Sequence, residues 1–337
     1  MTAAVDPTLL KSLLSESSTL RVRPRYEGSN ICTWIGFKHV NYMVEEAVLV
    51  HFKQAGVPAR WLYEEHGLGL DFVAMDTRIL HAFHMDDEAV AEVEPVSKGG
   101  EDALTFKVTI RVDRDGSTLK AVTSKVRLEL RIDTYLEAPA EVPAQLAPYA
   151  VERLGADRPE TADPAPEFSA KAAEVLAAGG DEDAVLAALT EGRNAYAWKW
   201  NIPYPYCHFT ERLQLSGYLR LMEEAKDRFV LDRGISIKTL LDDRKWIPVV
   251  PHSKINIVDE ALMEEDLYTV YTVEEVFKDF TYTSRMDNYV IRDGKFHLVQ
   301  SGKIVHGYAV IENRRDWSLI PFDQRVIDAF NGKSSQA

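Results

Sequence analysis

Residues 45–56 read EEAVLVHFKQAG and residues 223–234 read EEAKDRFVLDRG, and this pair of stretches decides the organisation of the chain. They lie 178 positions apart. The same offset matches Leu62 with Leu240, Ile79 with Ile257, Met85 with Met263 (MDDE against MEED), Asp115-Gly116 with Asp293-Gly294, Lys125 with Lys303 and Pro143 with Pro321. A constant offset without gaps means that one fold is carried twice, and internal repetition sets the architecture before any local pattern does. A repeated fold places function, by expectation, where the two copies meet.

The chain has 337 residues, 46% of them hydrophobic and 27% charged, which is ordinary for globular protein and enough for two cores. The formal net charge is −14. Nucleic acid is therefore not expected as a partner, because phosphate backbones are held by basic surface. A phosphorylated small ligand stays open if a few local cations grip it. The two cysteines, Cys32 and Cys207, do not occupy equivalent repeat positions, so no bridge is implied and reduced thiols are expected. Cys207 precedes His208, which allows a nucleophile reading beside the plainer one of a half-buried thiol. The N-terminus MTAAVDPTLLKSLLSESS lacks the pattern of a secretory signal, and no stretch reaches the ~18 apolar residues of a membrane span. A cytoplasmic, soluble protein is expected.

The divisions follow from the repeat. Residues 1–19 form a short helical extension (TLLKSLL), 20–150 the first domain, 151–197 a linker, and 198–337 the second domain. The linker begins Pro- and acid-rich, hence extended, and continues as the Ala/Leu-rich AKAAEVLAA and EDAVLAAL, hence helical. Each copy opens with a strand, TLRVRPRY (19–26) or AYAWKWNIPY (195–204). A loop then leads to a long helix. Val40, Met43, Val44, Ala47, Val48 and Phe52 form its apolar stripe in copy one, and Leu215, Leu219, Met222 and Phe229 in copy two, ending at Gly56 and Gly234. Alternating strands follow, LTFKVTIRVDRDG into SKVRLELRI, with Asp-Gly hairpin turns in both copies. A Pro and a short amphipathic stretch close each copy (VPAQLAPYAVERL, IPFDQRVIDAF). One helix with about four antiparallel strands buries its apolar faces only if the sheet curls round the helix.

This order, with the His39-Val40-Asn41 run, the Glu-Glu-Ala on each helix, the glycine behind it and the closing Pro segment, resembles the hot-dog fold of the acyl thioesterase family, the 4-hydroxybenzoyl-CoA thioesterase type. WKWNIPYPYCHFTERLQLSGYLRLMEEAKDRF in copy two is also similar to the small thioesterases of enediyne and polyketide pathways. The resemblance implies an α+β chain of two tandem hot-dog domains, each a long central helix wrapped by a curled antiparallel sheet, paired as a pseudo-dimer with substrate at the interface. It also shows a departure. The family's loop aspartate ahead of the helix is replaced by Asn30 in copy one and by His208 in copy two.

Thioester hydrolysis needs a carboxylate or imidazole to activate water or attack the carbonyl, and backbone N–H groups to hold the oxyanion. Glu45, Glu46, Glu223 and Glu224 are the helix carboxylates; neighbours on a helix diverge by ~100°, so one of each pair faces a given pocket. His208, between Tyr206 and Glu211, and His39 are the candidate bases or carbonyl donors. Asn30, Asn41, Tyr218, Glu211, Arg212 and His306 are candidate substrate contacts. A core position is the plainer reading for Tyr218 and His306; a structural role at the pseudo-twofold axis is the plainer one for the glutamates. Arg212, Arg220, Lys226 and Arg228 would grip a coenzyme A or phosphopantetheine phosphate, or else form a solvated helix face. One composite site is expected from Glu223 or Glu224 with His39 and Asn41, the other from Glu45 or Glu46 with His208.

GxSxG, P-loop, GxGxxG, paired CxxC and HExxH motifs are absent, which disfavours serine-hydrolase, nucleotide-dependent and zinc chemistry. The reading is a hydrolase of acyl-CoA or acyl-carrier-protein thioesters in fatty-acid or polyketide metabolism. It needs no metal or cofactor beyond the coenzyme A or phosphopantetheine of its substrate, does not bind membranes, and acts as a monomeric pseudo-dimer or a homodimer of it. A hot-dog dehydratase or hydratase, or a non-catalytic acyl-binding module, are the alternatives.

Overall fold

The structure is a computed structural model and describes residues 7–96, 104–137, 139–155, 163–207, 210–310 and 318–333. The chain divides into two compact units, at Leu154 and Gly155.

In unit 1, α1 (Pro7–Ser15) and β1 (Ser18–Val22) lead through a 3-10 turn to the long α2 (Phe37–Gln54) and the short α3 (Ala59–His66). Four strands follow, β2 (Leu68–Ile79), β3 (Ala89–Pro95), β4 (Leu104–Arg114) and β5 (Ser117–Ile132), then the two-residue β6 (Ala150–Val151). The sheet order is β1-β3-β4-β5-β2, antiparallel throughout, with β6 lying parallel against β5. All six residues of the predicted α2 stripe are buried. The helix touches β1 and β2, the two ends of that strand order, as well as β3 and β4, so the sheet curls round it.

Unit 2 repeats the plan. The helices α4 (Pro166–Ala177) and α5 (Glu182–Thr190) precede β7 (Ala195–Asn201), the long α6 (Leu215–Asp232) and the short α7 (Ile237–Arg244). Then come β8 (Trp246–Ile257), β9 (Asp266–Phe277), β10 (Thr281–Arg292), β11 (Lys295–Val310) and α8 (Gln324–Phe330). The sheet order β7-β9-β10-β11-β8 is that of unit 1. The helices α2 and α6, α3 and α7, and the strands β2 and β8, β5 and β11 begin and end 178 positions apart.

The correspondence extends to irregularities. Ala121 in β5 and its equivalent Val299 in β11 are each the extra residue of a bulge. The Ala121 carbonyl accepts the N–H groups of Leu80 and His81, at 2.8 and 3.3 Å; the Val299 carbonyl accepts those of Val258 and Asp259, at 2.9 and 3.2 Å. A bulge that re-aims one carbonyl to tie down the chain leaving the next strand is a built feature. At the hairpin tips Asp115 and Asp293 have φ of 53° and 50°, the left-handed backbone that a two-residue Asp-Gly turn requires.

Two segments part company. The helices of the expected linker fold as an αα-hairpin on the outer face of the unit 2 sheet, where Ala172, Val185, Ala188 and Leu189 pack with Tyr268, Val270 and Tyr289. The closing segment becomes a 3-10 turn and β6 in unit 1 but the helix α8 in unit 2. Among the described residues no helix is long and apolar enough to cross a membrane.

Candidate active site

Each central helix is reached through a loop pinned the same way. In unit 1 the bridges Ser29↔Ile35 and Trp34↔His84 close the loop; in unit 2 Cys207↔Leu213 and Arg212↔Leu262 do so at the equivalent positions. A salt bridge repeats beside them. Arg114 binds Asp87 at 2.6 Å and the Ala82 carbonyl at 3.0 Å; Arg292 binds Glu265 at 3.1 Å and the Glu260 carbonyl at 2.6 Å. Cys32, at the tip of the first loop, holds a φ of 75°, a strained backbone for a residue with a side chain.

Both central helices start without a side-chain cap, at Gly36 and Gln214. Among the other helices α5, α7 and α8 are capped by Asp181, Ser236 and Asp323, whereas α3 and α4 have no side-chain cap either. A helix start without a capping side chain keeps its dipole and first amides available to an anion or a polarised carbonyl.

The glutamates of α2 separate sharply. Glu46 is exposed. Glu45 is half-buried as a residue, but its Oε2 lies inside the protein without a hydrogen-bond partner. Burial, and secondarily the charge of Glu46, raise the Glu45 carboxyl to about 7. A carboxyl poised there exchanges protons at neutral pH, which is what a general base requires. The equivalent pair on α6 differs: Glu224 forms an ion pair with Arg228 at 2.7 Å, and Glu223 is half-buried.

His39 and Asn41, two positions apart on α2, point different ways. The His39 ring lies against the backbone of Gly28, where an added Cβ would sit 2.8 Å from Cγ, and its Nε2 is 3.8 Å from Glu27. Asn41 is buried and donates to the carbonyl of Phe37 at 3.1 Å. It shares its helix face with Glu45, four residues on, whereas His39 does not. Asn30 is exposed and turned into its own loop, its Oδ1 accepting the Ile31 N–H at 3.1 Å. His208 lies outside the described residues. Glu211 is exposed and Arg212 buried.

The cations expected to grip a phosphate are not gathered on one face. Lys226 is buried over the Tyr308 ring at 5.4 Å, Arg220 lies over Tyr206, and Arg228 is occupied by Glu224. Cys207 is buried and its thiol is pushed up to about 11, which leaves it protonated and a poor nucleophile. Tyr218 is fully buried, with no hydrogen-bond partner for its hydroxyl. His306 is also buried, its Nε2 3.0 Å from Ser284 and 3.4 Å from Tyr271.

Sequence reasoning missed the company of His306. The rings of Tyr271 and Tyr282 lie 6.5 and 4.8 Å from its own, and Lys226, which sits over the buried Tyr308, is close enough to depress its basicity. A signal was present: at the equivalent positions of copy one stand Val93, Leu104, Leu130 and Val48.

Comparison with known proteins finds no matching family model and no matching curated protein. Solved structures do match along nearly the whole chain. A Lactobacillus plantarum protein assigned as an oleoyl thioesterase aligns with a TM-score of 0.56 at 10% identity, over 92% of this chain and 98% of that one. A 12:0-ACP thioesterase from Umbellularia californica aligns with a TM-score of 0.56 at 9% identity, over 90% and 98%. An acyl-ACP thioesterase from Bacteroides thetaiotaomicron aligns with a TM-score of 0.51 at 9% identity, over 86% and 97%. At such identity the likeness is one of fold: two hot-dog units in tandem in a single chain.

Proposed function

We propose that this double hot-dog chain hydrolyses acyl thioesters, with Glu45 as the residue that activates water. The observation that carries the reading is the state of its carboxyl: on the central helix of a hot-dog unit, one oxygen buried without a partner, and poised at about 7. The ionised carboxylate takes a proton from water as the water oxygen bonds to the thioester carbon. Backbone N–H groups beside the reacting carbonyl receive the oxyanion. The C–S bond then breaks, and the Glu45 carboxyl returns its proton to the departing thiolate. The products are a carboxylic acid and a free thiol, and the carboxylate is regenerated. No metal or bound cofactor enters this scheme; the coenzyme A or phosphopantetheine belongs to the substrate. The acyl-ACP thioesterases that share the fold support an acyl thioester as the substrate class.

The test is thiol release from a panel of acyl-CoA and acyl-carrier-protein thioesters. Wild-type enzyme is expected to release thiol from at least one member, and Glu45→Gln to lose about 10²–10⁴-fold in kcat/KM. Absence of thiol from every substrate, or full activity in Glu45→Gln, overturns the reading.

A further inference from the structure

The interiors of the two units are built in one register but of different material. Between α2 and its sheet stand Val48, Leu128 and Leu130; at the same positions between α6 and its sheet stand Lys226, His306 and Tyr308. All six are buried, the last three with 4%, 2% and 1% of their surface exposed. The unit 2 trio is one cluster. The Lys226 ammonium lies 5.4 Å from the Tyr308 ring centre, and the electrostatic influence of Lys226 reaches His306.

Three polar atoms there have no hydrogen-bond partner: Lys226 Nζ, the Tyr308 hydroxyl and His306 Nδ1. Each such group forfeits its hydration without a compensating bond, so a hydrocarbon core like that of unit 1 is the more stable filling. The carboxylates felt by Lys226 are Asp227 and Glu223, on its own helix. Neither is hydrogen-bonded to the Lys226 ammonium.

All three atoms can donate. A lysine nitrogen and a phenol hydroxyl both carry hydrogens to give. His306 Nε2 faces the hydroxyls of Ser284 and Tyr271 at 3.0 and 3.4 Å; when it accepts from either, the ring proton sits on Nδ1 and that atom donates as well. A layer of unmet donors is the complement of an oxygen acceptor.

We infer that the interior of unit 2 receives an oxygen-bearing group of the ligand, a keto or carboxylate oxygen carried on an acyl chain, held by Lys226, Tyr308 and His306. The acyl part rests on the proposed function; the oxygen-recognising cluster does not. A layer of donors discriminates strongly against the analogue that lacks the acceptor, because those donors are then left unpaired in the complex.

The experiment uses thioethers, which cannot turn over and whose plain member has no oxygen on its chain. Full-length protein is titrated calorimetrically with the S-dodecyl, S-(2-oxododecyl) and S-(11-carboxyundecyl) thioethers of N-acetylcysteamine, and dodecanoyl-, 3-oxododecanoyl- and 11-carboxyundecanoyl-CoA are assayed in parallel. Wild-type protein is expected to bind at least one oxygenated chain about tenfold or more tightly than the S-dodecyl thioether. Which of the two it prefers tells a keto from a carboxylate acceptor. Tyr308→Phe removes one hydroxyl and keeps the ring; it and Lys226→Met are expected to bring the preference down to about twofold. Equal binding of the three thioethers by wild-type protein, or a preference that survives both substitutions, overturns the inference. Binding with this pattern but no thiol release from any CoA ester removes the hydrolase reading and leaves the oxygen site standing.

Discussion

A carboxyl that stays protonated in the native protein until about pH 7 leaves a mark on both rate and stability. As the base in the proposed reaction, Glu45 acts when ionised. The logarithm of kcat/KM is therefore expected to climb with unit slope up to about pH 7 and then level, and a pH–rate profile reads this directly. In the unfolded chain a glutamate ionises near ~4.3. Between there and about 7 the unfolded state sheds a proton that the native state keeps, so stability falls as pH rises through that window and the penalty is complete above it. Glu45→Gln is accordingly expected to unfold at higher urea than wild type at pH 8, by up to about 4 kcal/mol, and to match it at pH 4. Lys226 has the opposite sign. Burial lowers it to about 7, against ~10.4 when unfolded, so its penalty grows as pH falls from about 10 and is complete below about 7. Lys226→Met is expected to raise the urea midpoint at pH 7 by more than at pH 10; equal shifts would show that the lysine is not desolvated. Sequence pattern could rank neither group. Glu45 and Glu46 are identical in type and adjacent, and only the position of the helix separates the buried carboxyl from the wet one. Lys226 reads as a surface residue in any amphipathic count, because lysine is assumed to be solvated.

At the scale of elements, the repeat makes one copy a control for the other. The short helices α3 and α7 end in the same left-handed turn, at Gly67 with φ 64° and at Lys245 with φ 59°. Glycine adopts that conformation freely and a lysine does not. Lys245→Gly is therefore expected to stabilise unit 2 by about 0.5–1 kcal/mol despite the flexibility it adds to the unfolded chain, seen as a higher denaturant midpoint; a lower midpoint would mean that the Lys245 contact to the Asp242 carbonyl at 3.1 Å outweighs the strain. Helix stripes, hairpin turns and helix-ending glycines were legible because period, turn chemistry and caps are local properties. The covering of the unit 2 sheet by α4 and α5 was not. Their Ala/Leu composition announced helices, but the surface they bury, including Val270 and Tyr289, lies about eighty positions or more away in the chain. The closing segments mark another limit: IPFDQRVIDAF and VPAQLAPYAVERL are read alike as Pro-led amphipathic stretches, and only the first holds a helix, α8. Only one of them carries Asp323, whose side chain accepts the Val326 N–H and caps a helix, and Phe330, whose ring stacks on Tyr282 at 3.8 Å.

The whole molecule carries a formal charge of −14, and a coenzyme A or acyl-carrier-protein substrate is itself an anion. Two like charges approach each other more slowly than neutral bodies, and the effect reaches as far as salt allows: about 30 Å at 0.01 M ionic strength and about 8 Å at 0.15 M. Cationic side chains that offset this locally are scarce on α6, since Arg228 is bound to Glu224 and Lys226 lies inside the core. Capture of an anionic thioester is therefore expected to speed up on adding salt. In the assay proposed above, kcat/KM is expected to rise several-fold between about 10 mM and about 150 mM ionic strength while kcat stays level, because screening acts on encounter and not on the bound complex. A neutral N-acetylcysteamine thioester of the same acyl group separates this from a general salt effect on the protein, as its kcat/KM should not respond. A fall in kcat/KM with salt for the coenzyme A ester alone would instead reveal a local basic patch strong enough to reverse the field of the whole chain.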